Sequence, residues 1–185
     1  MRWRVRTGYP VALIYWLLAR PSLRSILIGG VVAALGLLIR GASSGYLRKD
    51  RELAVRGPYA RTRNPLYFGS AFIALGFAIA GASWAAALLV LAYFGVFYYA
   101  VMRNEESDLR KRFGQPFEEY LAQVPLFFPT LFVRAPEPVP PESSASSAFS
   151  WAQYRKNREY QALIGVIAGL VLMGLRMWIR ARSGY

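Results

Sequence analysis

From Leu66 to Met102 the chain carries no charged residue, yet arginines stand on both sides of the stretch. It divides at Gly81-Ala82-Ser83 into two apolar segments, 66–81 and 84–102. Each approaches the length of about 20 residues that a helix needs to cross a bilayer. In hydrocarbon a backbone must satisfy its own polar groups, so segments of this kind fold as helices. If both cross, their far ends return to the same surface. Similar runs occupy 11–18, 23–39 and 162–179, the first of them short unless residues 3–9 extend it. The pattern predicts an all-α integral membrane helical bundle of about five apolar segments. Composition agrees, since 55% of the 185 residues are hydrophobic and the mean hydropathy is +0.26.

The formal charge of +13, from 23 basic and 10 acidic residues, would suggest nucleic acid on a soluble protein. Here Arg40, Arg48, Lys49, Arg51, Arg56, Arg61 and Arg63 crowd into one loop between apolar runs. That is the pattern of a cytoplasmic loop lying against anionic lipid, so the expected partner is the bilayer and not nucleic acid. The same rule puts the uncharged turn at 81–83 outside and the charged flanks inside, in a cell inner membrane with the site on the cytoplasmic side. Arg176, Arg180 and Arg182 run against it if the last segment spans. The start is basic and then apolar without a small-residue cleavage site, so the first segment is expected to stay. The sequence contains no Cys and no His. This removes the usual zinc site, the thiolate nucleophile and the imidazole base, and no metal is expected.

Four regions are expected: an N-terminal membrane hairpin (1–39), a core with its own membrane hairpin (40–132), a Pro/Ser-rich linker (133–160) and a C-terminal apolar helix (161–185). Gly29-Gly30 and Gly36 on the second run permit close helix packing. Residues 103–123 read as an amphipathic helix on the cytoplasmic face, broken at 114–116, with Leu109, Phe113, Phe117 and Leu121 at spacings of four.

Chemistry gathers at the two charged ends of the central hairpin. Gly57-Pro58-Tyr59 and Arg63-Asn64-Pro65-Leu66-Tyr67-Phe68-Gly69 precede it, and Arg103-Asn104-Glu105-Glu106 closes it. Beyond lies Phe113-Gly114, Phe117, Tyr120, Val124-Pro125 and Pro129. Taken in this order the motifs resemble the membrane methyltransferases, a family comprising the isoprenylcysteine carboxyl methyltransferases and the phospholipid N-methyltransferases. The resemblance covers roughly residues 40–132. It implies an S-adenosylmethionine cofactor and a lipophilic acceptor, either a membrane lipid or a lipidated small molecule. Methyl transfer also suits a chain without Cys or His, because the cofactor brings the electrophile.

On that resemblance Gly57, Tyr59, Asn64, Tyr67, Gly69, Glu105 and Glu106 would bind the cofactor, with Arg103 and Glu106 as the catalytic candidates. Carboxylates can accept from ribose hydroxyls or the amino group, and a backbone turned by Gly and Pro can approach a ligand closely. Plainer readings stand beside these. Glu105-Glu106 can be a solvated helix start, Arg103 an interfacial anchor, Asn64 an N-cap ahead of Pro65, and the glycines and aromatics simple packing and interfacial belts. Asn64 replaces the His usual in isoprenylcysteine-type members, which tilts the acceptor toward a phospholipid amine. A prenylated cysteine carboxylate is the alternative, and a non-enzymatic binding or scaffold protein on the same fold is the rival.

Overall fold

The computed structural model describes residues 2–48, 53–130 and 149–183, with side chains from residue 8 onward. Among the described residues, seven α-helices and one short 3-10 helix (Gly57–Ala60) make up the regular structure. They are α1 (Arg2–Leu18), α2 (Leu23–Ser44), α3 (Pro65–Ala80), α4 (Trp84–Phe113), α5 (Gln115–Gln123), α6 (Trp151–Lys156) and α7 (Tyr160–Arg182). Among the described residues there is no strand. Three helices among the described residues, α2, α4 and α7, are long and apolar enough to cross a membrane, and shorter apolar helices cover 8–18 and α3. The protein is an all-helical integral membrane bundle. Side chains such as Leu27, Val31, Leu38, Leu88, Val96, Ile164 and Val171 face outward, as lipid contact requires.

Local chemistry explains the helix ends. The amide of Ser25 donates to Ser22 Oγ at 3.1 Å and the amide of Ser22 to Ser25 Oγ at 3.0 Å, a reciprocal cap that starts α2 after Pro21. α3 begins on Pro65, whose missing N–H would be unpaired in the first turn anyway. α4 runs on through Arg103 without a break and stops at Gly114, at φ 57, a left-handed conformation that glycine adopts without strain. The amphipathic stretch at 103–123 is therefore the charged end of α4 followed by α5, hinged where Gly114-Gln115-Pro116 places it. Pro10 lies inside α1. Most of the expected 133–160 linker falls outside the described residues, and α6 occupies 151–156.

The chain forms two compact units, whose boundaries fall within α2, α3, α4 and α7. The first comprises 1–37, 71–99 and 162–185. Its core is Tyr15, Ala19, Ala86 and Met173, with Trp16, Ile26, Phe77, Leu89 and Val90 packed around them. α2 and α3 meet backbone to backbone: a Cβ on Gly29 would stand 2.3 Å from the Gly76 carbonyl oxygen, and one on Gly76 2.5 Å from that of Gly29. α7 joins α1 through polar groups. Trp16 Nε1 donates to the Leu172 carbonyl at 3.1 Å, and Arg176 Nη2 donates to the Leu17 carbonyl at 2.8 Å with its guanidinium 4.9 Å from the Trp16 ring centre. Arg176 thus caps an open carbonyl in the last turn of α1.

The second unit, 38–70 and 100–161, holds the candidate site. Its core is Phe117, Tyr120 and Val124, covered by Leu53, Val55, Leu109, Phe113 and Leu121. α5 supplies one buried stripe to that core, which is where its amphipathic pattern goes.

Candidate active site

The loop before α3 is pinned from several directions. Gly57 has φ 61, and a Cβ there would stand 2.8 Å from the Tyr46 ring, so both conformation and space require glycine. Tyr59, next in the 3-10 turn, is buried and accepts on its carbonyl the hydroxyl of Tyr120 at 2.7 Å. Burial pushes both phenols well above their ordinary pKa. For Tyr59 the neighbouring Tyr120, Glu105, Tyr67 and Glu159 add to the rise, while Arg63 opposes it for Tyr120. Both remain neutral hydroxyls at physiological pH.

Residues 61–64 lie alongside 125–130. The Arg63 amide donates to the Pro125 carbonyl at 2.9 Å, and the Thr130 amide to that of Arg61 at 3.1 Å. Thr62 Oγ1 donates to the Phe127 carbonyl at 2.9 Å, and Asn64 Nδ2 to that of Leu126 at 3.0 Å. Pro125 offers no amide donor, and the pairing takes only its carbonyl. Asn64 stands directly before α3 and its carbonyl accepts the Phe68 amide at 2.9 Å. Its side-chain amide holds the 125–130 segment against the loop.

The two motif clusters then meet. Tyr67, in the first turn of α3, donates its hydroxyl to Glu105 Oε1 on α4 at 2.6 Å. Glu106 turns the other way, toward three guanidiniums. Arg63 Nη1 stands 3.5 Å and Arg103 Nη1 3.4 Å from its Oε2, and Arg110 Nη2 3.7 Å from its Oε1. Arg110 also pairs with Glu118 on α5. The side chain of Glu106 is 11% exposed and that of Arg63 17%, whereas Arg103 is open at 57%. Arg63 Nε is shielded from solvent and has no hydrogen-bond partner. Glu105 is exposed despite its bond to Tyr67.

Of the residues singled out in the sequence, Tyr67, Glu105 and Glu106 therefore stand together, with Arg103 at the rim. Gly69 is buried one turn into α3, and Gly57 and Tyr59 shape the adjoining loop. Arg63 and Arg110 belong to the cluster equally. Arg63 was visible as the first residue of its motif, and Arg110 as the partner of Glu106 at i, i+4. Among the described residues no group of three or more His, Cys, Asp or Glu is placed to hold a metal ion.

A family model for phospholipid methyltransferases matches residues 23–116, a stretch that contains these contacts except those made by Glu118, Tyr120 and the strap at 125–130. The chain belongs to that family. Two relatives bear names of another kind. The nickel-cobalt-cadmium resistance protein NccN of Alcaligenes xylosoxydans xylosoxydans is 40% identical over 86 residues, 45% of this chain and 39% of the relative. The cobalt-zinc-cadmium resistance protein CzcN of Cupriavidus metallidurans is 36% identical over 84 residues, 45% of this chain and 38% of the relative. The matched stretch spans about two fifths of the length of either relative. No solved structure matches the chain to a significant degree. As a member of the phospholipid methyltransferase family with helices long and apolar enough to cross a membrane, the protein is a membrane protein of a methyltransferase family.

Proposed function

We propose that this chain is an S-adenosylmethionine-dependent methyltransferase that acts on a lipophilic acceptor, with a phospholipid amine preferred. The observation that carries the reading is the Tyr67–Glu105 bond beside the Arg63–Glu106 pair, which joins two motifs some forty residues apart within the family-matched region.

The residues suit this cofactor chemically. A sulfonium amino acid nucleoside offers an ammonium, a carboxylate and ribose hydroxyls. Glu105, exposed and already holding one hydroxyl, can accept from the hydroxyls or the ammonium. Arg63, with a desolvated Nε free of partners, and Arg103 can donate to a carboxylate. Glu106 keeps those guanidiniums from repelling one another. Gly57, Tyr59, Asn64 and Gly69 shape the backbone around them, Asn64 through Leu126. When bound, the cofactor supplies an electrophilic methyl for in-line displacement at carbon. The chain's own tasks are alignment and exclusion of water.

An amine acceptor must lose its proton before attack, which assigns a carboxylate, Glu106 or its neighbour Glu105, as acceptor of that proton. A carboxylate acceptor needs no base and would use Arg103 as a positioning cation. Loss of prenylcysteine methylation in Arg103→Ala, with lipid amines ignored by the parent, would reverse the preference. The charge distribution supports a topology with the 48–63 and 103–112 segments on the cytoplasmic side of an inner membrane. The native chain has no cysteine, so impermeant labelling of Ser83→Cys but not Ser107→Cys in intact cells is the expected pattern.

Calorimetry of the purified protein with S-adenosylmethionine is the direct test, followed by incubation with the labelled cofactor and a total lipid extract. Saturable heat and a labelled lipid are expected. No heat at millimolar cofactor sinks the reading and leaves a binding or scaffold role.

A further inference from the structure

Arg40 and Glu159 form a paired group that the motif chemistry does not use. Arg40 Nε donates to Glu159 Oε1 at 2.5 Å and Nη2 to Oε2 at 3.1 Å, a two-pronged pair. Glu159 is only 7% exposed, and it lies past the end of the family-matched region, just before α7. The remaining edge of the guanidinium points elsewhere. Arg40 Nη1 donates to Ser70 Oγ at 2.5 Å and to the Leu66 carbonyl at 3.4 Å, and Ser70 Oγ donates to the same carbonyl at 3.0 Å.

A guanidinium is a rigid plane. A carboxylate gripping one edge therefore fixes where the other edge can reach. That other edge grips the first turns of α3 at Leu66 and Ser70, on either side of Tyr67. The Tyr67 hydroxyl must arrive within 2.6 Å of Glu105, and a small rotation of this turn would separate them. Glu159 also adds its field to those that hold the buried Tyr59 hydroxyl neutral.

Simple anchoring already has other means. Asn157 Nδ2 donates at 2.9 Å to the carbonyls of both Ser44 and Leu47, and the Ser150 amide donates to the Gly45 carbonyl at 3.1 Å. The segment 149–159 is thus fastened to the end of α2 without Glu159. The grip on α3 is what Arg40 and Glu159 add.

We infer that Glu159 is a positioning residue of the methyl-transfer site, which orients Arg40 so that Arg40 sets the first turn of α3 and brings Tyr67 to Glu105. The inference rests on the cofactor-site reading above and gives a task to a residue outside the matched family region. It predicts that the segment before α7 is needed for cofactor affinity although it lies outside the family-matched region.

The test uses the full chain in nanodiscs with 3-fluorotyrosine at position 67, read by fluorine NMR and by steady-state kinetics. Glu159→Gln keeps the shape and removes the charge, and Arg40→Lys keeps the charge and removes the fork. In both, the resonance should move toward its position in Glu105→Gln, and KM for S-adenosylmethionine should rise about tenfold, as for loss of one charged hydrogen bond, with kcat little changed. Ser70→Ala leaves the ion pair intact. It should still shift the resonance and raise KM severalfold at unchanged thermal stability, which anchoring alone would not do. An unmoved resonance and unchanged KM in Glu159→Gln and Ser70→Ala overturn the inference, whatever the stability. A parent protein that binds no cofactor overturns the reading of the site instead, and the resonance still decides the relay.

Discussion

α2 and α3 meet twice, once in each unit, by opposite means. In the first unit Gly29 and Gly76 bring the backbones together with no side chain between them. In the second, the same two helices are joined by Arg40 reaching Ser70 and the Leu66 carbonyl. The difference follows the surroundings. In hydrocarbon no hydrophobic force draws helices together, so close van der Waals approach must do it, and small residues permit it. Toward the polar boundary a guanidinium and a carboxylate can be held, and a directional contact becomes possible. The sequence segments of the second unit contain all ten acidic residues, and those of the first contain none. At this seam the first unit relies chiefly on close approach and the second on a charged, directional contact.

The sharpest way to break this contrast is at Gly76. A valine there must displace the Gly29 carbonyl and the Ala33 backbone, and overpacking of that kind costs about 3 kcal/mol. Thermal unfolding in detergent should show the loss. Gly95→Ala serves as the control, since a Cβ there meets nothing within 4 Å and alanine is the better helix former. If Gly76→Val is as stable as the parent, close approach is not what holds the first unit.

In the second unit the expected effects fall on binding. Glu106→Gln and Glu105→Gln should each weaken S-adenosylmethionine by about 1.5–3 kcal/mol, the worth of a charged hydrogen bond, with little change in unfolding temperature. Glu106 should be the more sensitive, because Arg63 and two further guanidiniums depend on it. Calorimetry on both variants decides, and affinities equal to the parent's would reduce the pair to a charged helix segment.

A smaller effect belongs to Tyr120, whose hydroxyl holds the Tyr59 carbonyl. Tyr120→Phe should lose about 1 kcal/mol of stability at neutral pH. Its pKa is raised in the folded chain, so above the unfolded value of about 10 the unfolded state releases a proton that the folded state keeps. Its contribution is thus full below that pH and falls as pH rises further. The variant's alkaline loss should be shallower than the parent's in pH-dependent melts. Least of all, Arg103→Ala should change stability by well under 1 kcal/mol, because an open pair is screened by water. A larger drop would mean that the rim of the site is structural.

Runs without charge, their lengths and the arginine-rich flanks determine helices, spans and the position of the central hairpin, because a backbone in lipid has so few alternatives. Spacing also marks the break at Gly114 and the stripe on α5, whereas the motifs at 63–69 and 103–106 stand out by their resemblance to a family. Which motif residues touch was a tertiary matter. Nothing in Asn64 says that its amide will hold Leu126, and nothing in Glu106 says that it will gather Arg63 from across the hairpin, since both contacts depend on how loops close over tens of residues. Arg40 was one charge among many in a basic loop, and Glu159 one acid in a stretch read as linker. Only folding places them in one buried pair, because an ion pair is defined by geometry and a sequence records charge without distance.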